Sequence, residues 1–253
     1  MQIASLRTPI VKRGDSLPAV IYAALQALSD TNLEKGGLEG KILAVTSKIV
    51  SVCENQIVPR SEVSKTELIR RQADRDLGEI GYGSRLTVKE NLLLASAGID
   101  ESNSETDDFI CLPKNSKQSA FELWNALRSR FQLKSFGVVI TDSRTSPLRL
   151  GTTGVSLSHW GFDGLKDRVG QPDLFGRPLQ VTKVNLVDAL AAAAVLVMGE
   201  GEEQTPLALI SELPENMVTF HDSTDVDELR VKMVNGEFPT DLYWPFLAPG
   251  FRR

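Results

Sequence analysis

The sequence predicts a mixed α/β chain, and three observations carry that prediction. Two largely apolar runs, "KILAVTSKIVSV" (41 to 52) and "FGVVIT" (136 to 141), read as buried strands. Residues 16 to 28 and 117 to 131 carry apolar side chains at helical spacing. The run "LAAAAVLVM" (190 to 198) suits a buried helix and is too short to cross a membrane.

Taken in order, Asp15 or Ser16 can cap a first helix. Pro18 sits in its first turn, where a missing N–H costs nothing, and Val20, Ile21, Ala24, Leu25 and Leu28 follow one face. The strand at 41 to 52 is interrupted by Thr46, Ser47 and Lys48, so its polar middle should face something. "SKTELIRRQADRDLGEI" (64 to 80) reads as one charged amphipathic helix, and "SRLTVKENLLLASAGID" (84 to 100) as a strand or hairpin pair ending at Asp100. The helix at 117 to 131 leads into the strand at 136 to 141, which breaks off into a polar loop, "DSRTSPLRLG" (142 to 151). The stretch from Arg177 to Ile210 predicts a strand, a long buried helix, a Gly- and Glu-rich turn and another strand. The tail adds a helix at 224 to 235 and an aromatic cluster, "DLYWPFLAPGFRR", expected to pack on the body or on a partner subunit. No repeat or low-complexity linker is visible, so any two domains should be interleaved in sequence.

The balance of 42% apolar and 24% charged residues is that of a globular chain of 253 residues. Net charge is −5, with Lys and Arg scattered among acids rather than gathered in a stripe, so nucleic acid is not an expected partner. Only Cys53 and Cys111 occur, which excludes a disulfide scaffold and fits a reducing compartment. With no signal-peptide pattern at the N-terminus and no apolar run of spanning length, the expected location is the cytoplasm, away from membranes.

Common catalytic motifs are missing: there is no GxxxxGK[ST], no GxGxxG after a strand, no HExxH and no GxSxG. His159 and His221 offer little material for histidine chemistry, and His159 beside Trp160 reads as a packing residue. What remains is a set of acids and hydroxyls at element ends: Asp100 in "AGIDESN", Asp142 and Ser143 in "TDSRTSPLR", Glu200 in "MGEGEEQTP". Hard divalent cations take oxygen ligands, often one or two carboxylates completed by phosphate and water, and this inventory suits a metal–nucleotide site. Lys48 and Arg149 could neutralise phosphate oxygens, and Gly151, Gly199 and Gly201 could let backbone amides approach them. Each feature also has a plainer reading, as an Asx turn, a turn former or a solvated loop. Lys48 is the harder one to dismiss, because a lysine among apolar residues in a short element needs a partner.

Five motifs in order, "VTSKIVS", "AGIDESN", "ITDSRTSPLRLG", "DLFGRPLQVT" and "DALAAAAVLVMGEG", resemble the gamma-glutamyl ligases typified by the enzyme that adds glutamate to the deazaflavin coenzyme factor 420. The resemblance implies an α+β fold of two interleaved subdomains, approximately 1–78 plus 182–253 and 79–181, in an intertwined homodimer. It implies two Mg²⁺ or Mn²⁺ sites, with Asp100 and Asp142 as ligands of the first and Ser143 and Glu200 of the second. It implies GTP or ATP as co-substrate, contacted by Thr8, Pro9, Ile10, Val11, Ser47, Lys48 and Asn103 and by Gly199, Gly201, Glu202 and Glu203, with Lys48 and Arg149 in catalysis.

The implied reaction joins L-glutamate to a carboxylate through an acyl phosphate. Where the typical deazaflavin ligases have "SDTFGRPWR", this chain has "TDSRTSPLR", and Val52 stands where they often have a second lysine. The variant "TDSRTSPLR…GVSLSHWGF…EGEEQTP" resembles a branch of the family suspected of glutamylating folates, which implies a folate- or pteroate-type acceptor met around "TTGVSLSHWGF" (152 to 162), with the deazaflavin factor 420-0 as the alternative and a catalytically silent nucleotide-binding dimer as a second alternative.

Overall fold

β2 (Lys41–Thr46) and β8 (Phe136–Thr145) run parallel at the centre of a five-stranded sheet. The computed structural model describes residues 1–28, 37–104, 106–223, 241 and 243–247. The other strands of this sheet are β1 (Gln2–Leu6), β9 (Thr152–Trp160) and β12 (Leu207–Ser211), in the order β1-β12-β2-β8-β9, and every pairing except β2–β8 is antiparallel. Three smaller sheets accompany it. They pair β3 (Ile57–Val58) with β7 (Phe109–Ile110), join β4 (Arg75–Glu79), β5 (Arg85–Lys89) and β6 (Leu92–Ala95), and pair β10 (Leu165–Asp167) with β11 (Lys183–Asn185). The helices are α1 (Leu17–Gln26), α2 (Ser47–Cys53), α3 (Lys65–Gln72), α4 (Ser116–Phe131), α5 (Leu186–Met198) and α6 (Trp244–Leu247). Helices and several separate sheets make the fold α+β. The large sheet takes β1, β2 and β12 from the segments 1–78 and 182–253, and β8 and β9 from 79–181.

Both faces of the large sheet are covered, which is why its central strands read as continuous apolar runs rather than alternating ones. Leu43 and Val45 of β2, with Val138 and Ile140 of β8, pack against α1 and α4 through Ile21, Leu25, Leu123 and Leu127. The intervening residues Ile42, Ala44 and Val139 meet α5 through Val187, Leu190, Ala191, Ala194 and Val195. The predicted buried helix is thus the cover of one face.

The structure corrects four expectations. The strand read at 41 to 52 ends at Thr46, whose amide donates to Pro206 O at 3.0 Å, and the chain turns into α2. The apolar pair Ile49 and Val50 fits a helix as well as a strand, and burial on the core decides for the helix. The helix read at 64 to 80 stops at Gln72, where Ala73 turns extended, and β4 follows with a bulge between Asp76 and Gly78. β8 does not break off at Thr141 but continues to Thr145, because Asp142 to Thr145 pair with Val155 to Thr152 of β9. The tract from Val155 to His159 is buried in β9 between α4 and α5, so its side chains serve packing rather than an open acceptor surface.

Other expectations are met. Ser16 takes the N-cap position of α1 in extended conformation, although its side chain makes no capping bond, β5 and β6 form the hairpin read at 84 to 100, and α4 begins one residue early behind the Asn115 cap. His159 is buried against Phe162 with ring centroids 5.0 Å apart. Trp244 of the aromatic tail packs on Val88 of the three-stranded sheet, beneath the Arg75 guanidinium. The helix expected at 224 to 235 lies outside the described residues.

Candidate active site

The exits of β2 and β8 open, side by side, into a groove of about 870 Å³. Because the two strands are parallel and in register to Thr46↔Thr141, the residues that follow, Ser47 and Lys48 on one chain segment and Asp142 and Ser143 on the other, emerge as neighbours. Ser47 Oγ donates to Asp142 Oδ1 at 3.3 Å. Lys48 Nζ lies 2.7 Å from Asp100 Oδ2 and also donates to Ser102 O and Oγ at 3.2 and 3.0 Å. The lysine that needed a partner has one.

Asp100 is fixed from its other side as well: Ser102 donates to Asp100 Oδ1 from its amide at 2.7 Å and from its hydroxyl at 2.8 Å. This is the Asx turn that "AGIDESN" suggested, and the carboxylate it holds lines the groove with its side chain 38% exposed. Burial draws the Asp100 carboxyl upward, but the bonds from Lys48 and Ser102 outweigh it and hold it below the usual carboxylate range. Asp142 shows the opposite balance. Burial, with Asp100's charge adding to it, pushes its carboxyl up to about 7 against the bonds from the Ser143 amide and Ser47.

The third corner comes from the turn after α5. Ser143 Oγ donates to Glu200 Oε1 at 2.7 Å, and Thr152 Oγ1 reaches the same oxygen at 3.4 Å. Gly199 ends α5 at φ +82 and ψ 169, a backbone conformation that favours glycine, and the Glu203 carboxyl folds back over the space a Cβ would take. Gly201 N donates to Glu203 Oε2 at 2.8 Å, and Asn103 Nδ2 donates to Gly201 O at 3.2 Å, tying the Asp100 loop to the turn. Opposite, Thr8 N donates to Gln204 O at 3.3 Å and Gln204 Nε2 to Thr8 O at 2.9 Å, which fastens the segment 8–13 along the groove wall.

The structure therefore brings together Thr8, Pro9, Ile10, Val11, Lys48, Asn103, Gly199, Gly201, Glu202 and Glu203 with the four expected metal ligands, all lining one groove. Ser47 stands behind it, in contact with Asp142. Arg149 does not line it; this residue lies in the exposed turn between β8 and β9, where its amide donates to Ser146 O. Sequence reasoning missed Ser102, Lys12 and Arg13. Only Ser102, two residues after an Asp, carried a local signal.

Among the described residues no three His, Cys, Asp or Glu side chains converge to hold a metal ion. What does converge is an all-oxygen set: two carboxylates, one of them held partly protonated by burial and by its neighbour's charge, and next to them a hydroxyl and a further carboxylate. A hard divalent cation completed by phosphate and water fits such a set, and a soft metal does not. Among the described residues no helix is long and apolar enough to cross a membrane.

A sequence profile described as F420-0:Gamma-glutamyl ligase matches residues 5–212. The chain is 30% identical over 249 residues to the coenzyme F420:L-glutamate ligase of Methanococcus maripaludis strain C6, covering 92% of this chain and 95% of that one. It is 35% identical over 200 residues to the coenzyme F420:L-glutamate ligase of Methanopyrus kandleri, covering 72% and 79%. It is 32% identical over 226 residues to that of Methanothermobacter thermautotrophicus, covering 81% and 86%. With the profile spanning every element that builds the groove, this chain belongs to the F420-0:gamma-glutamyl ligase family.

Proposed function

We propose that this protein forms an amide between L-glutamate and a carboxylate acceptor through an acyl phosphate, driven by GTP or ATP, and that the acceptor is the deazaflavin factor 420-0. The observation that carries the reading is the meeting of Asp100, Asp142 and Lys48 in one groove of a chain with this family membership. The names of the relatives favour the deazaflavin acceptor over the folate-type acceptor suggested by 152 to 162. Val155 to His159 are buried in β9, while Thr152 and Thr153 of the same tract are exposed.

A carboxylate acylates an amine poorly until one of its oxygens is converted into a leaving group. In the proposed reaction an acceptor carboxylate oxygen attacks the γ-phosphorus, the bond to the bridging oxygen breaks, and the nucleoside diphosphate leaves. The glutamate amine then attacks the acyl carbon, phosphate departs with its electron pair, and the nitrogen loses a proton. Lys48, held by Asp100 and Ser102, stabilises negative charge on the transferring group.

Asp100 and Asp142 would hold one Mg²⁺ or Mn²⁺, and Ser143 and Glu200 a second. Bound there, the cations supply charge neutralisation on the phosphates. Ser47 orients Asp142, and Asn103 with the 199–205 turn closes around the nucleotide together with Thr8 to Val11. No protein nucleophile is required, which accords with a groove lacking Cys and His among its described lining residues. An intertwined homodimer of interleaved subdomains and a cytoplasmic location complete the reading.

The test is direct. Purified protein with glutamate, Mn²⁺ or Mg²⁺, GTP or ATP and factor 420-0 should give a product heavier by one glutamyl residue. Product with dihydropteroate or a reduced folate and none with factor 420-0 would transfer the assignment to the folate acceptor, and no product with either would overturn it.

A further inference from the structure

Asp100, Ser102, Asn103, Ser104, Thr106 and Asp108 bring one loop to the groove. The root of this loop is pinned, because Asp100 and Ile110 exchange backbone bonds at 2.8 and 2.9 Å. Beyond the root, Lys48 holds Ser102 and Asn103 holds Gly201 O, both on the groove side. The ligase reading gives Lys48 and Asn103 to the nucleotide as well, so a ligand competes for these ties.

A second set of ties lies behind the loop. Among the described residues Glu101, Asp107 and Arg60 do not line the groove, and both acids meet Arg60. β3 pairs antiparallel with β7 as Ile57↔Ile110 and Val58↔Phe109, so the chain leaving β3 brings Arg60 opposite Asp107. Arg60 Nε donates to Asp107 O, Nη2 lies 3.4 Å from Asp107 Oδ1, and Nη1 lies 2.7 Å from Glu101 Oε2. Between these contacts the guanidinium crosses the face of the buried Phe109 ring, 4.6 Å from its centroid. Lys65, the first residue of α3, takes the other oxygen of Glu101, and α3 is itself packed through Leu68 and Ile69 against Ile99 and Phe109. A half-exposed ion pair alone contributes little, but one planar fork here joins both arms of the loop over a fixed ring.

Resting on the ligase reading for what the loop binds, we propose that Arg60 is a positioning residue that clamps the loop from behind and holds Asp100 and Asn103 where the groove takes a divalent cation and a nucleotide. Because the clamp does not line the groove, it persists while Lys48 and Asn103 turn to a ligand. Without it the loop, fixed at its root, samples positions in which Asp100 and Asn103 do not meet the ligand together. Apparent affinity then falls by the fraction of competent loop, and saturating ligand restores the rate.

The experiment compares wild type with Arg60→Gln and Glu101→Gln in three measurements. Hydrogen exchange of the ligand-free protein is read by NMR at the amides of Ser102 and Asp108, which bond to Asp100 and to the Ser104 hydroxyl. Electron paramagnetic resonance titrates Mn²⁺ with GTP or ATP present, and steady-state kinetics follow amide formation. In both variants the loop amides should exchange about tenfold faster with the β2 and β8 amides unchanged, and the Kd and KM for Mn²⁺ and nucleotide should rise about tenfold with kcat within about twofold.

Unchanged loop exchange, unchanged affinity, a loss confined to kcat, or a Glu101→Gln protein that behaves like wild type overturns the clamp and leaves the ligase reading standing. A wild type that binds Mn²⁺ and nucleotide without making amide, and binds them about tenfold more weakly in the variants, supports the clamp while the ligase reading fails. If wild type binds neither, both fall.

Discussion

Replacing Lys48 by Met removes a cation of nearly equal length and separates the stabilising role of this residue from its chemical role. The Lys48 and Asp100 side chains are 24% and 38% exposed, so water screens their 2.7 Å contact and the pair contributes about 1 kcal/mol to stability. The two bonds to Ser102 add about another 1 kcal/mol. A loss of about 2 kcal/mol lowers the thermal midpoint by about 5 °C in a chain of this size and leaves the protein folded at 25 °C. Loss of a preorganised cation at the transferring phosphoryl group costs about 100- to 1,000-fold in kcat. Circular dichroism melts and single-turnover phosphate release measure the two effects on one preparation. A Lys48→Met enzyme with kcat within tenfold of wild type, or a rate loss no larger than the unfolded fraction explains, would refute the role given to Lys48.

Asp142→Asn removes a carboxyl whose charge is opposed by burial and by Asp100. Its thermal midpoint should equal or exceed that of wild type while turnover falls by about 1,000-fold, and a destabilised but active variant would contradict the site. Gly161→Ala should lower the midpoint by about 10 °C: the glycine sits at φ +91, and a Cβ would lie 2.2 Å from Trp124 Nε1 and 2.3 Å from Phe136 O, atoms that are bonded to each other at 2.8 Å. Burial, the larger cause for both, pushes the thiols of Cys53 and Cys111 up from 9.0 to about 11, so at pH 8 native protein should react with a disulfide reagent far more slowly than protein in guanidinium. Because these folded pKa values lie above the unfolded ones, the stability linked to the neutral thiols is complete below pH 9 and lost as pH rises through 11. A chemical-denaturation series across that range, set against a Cys53→Ser, Cys111→Ser double variant, measures it.

The acids of the site were legible because each sits in a short polar motif at an element end, where Asp100, Asp142 and Glu200 have no packing role to satisfy. The lysine was legible from cost: Lys48 among apolar neighbours demanded a partner, and Asp100 is that partner. The secondary structure around it was less so. Ile49 and Val50 fit a strand or a helix, and only the register of β2 against β12 and β8, which brings the Thr46 amide to Pro206 O, ends the strand. Asp142 to Thr145 looked like a loop because turn-forming residues fill it, yet pairing with β9 overrides that preference. What closes the groove, Asn103 to Gly201 and Thr8 to Gln204, joins segments 98 and 196 residues apart, and no local period records such contacts.

The central claim is activation of a carboxylate as an acyl phosphate. Acceptor labelled with heavy oxygen in its reacting carboxyl group, incubated with protein, glutamate, nucleotide and Mn²⁺, tests it by mass analysis of the released phosphate. The account predicts one labelled oxygen in each phosphate released per amide formed. Unlabelled phosphate accompanying amide formation would contradict it.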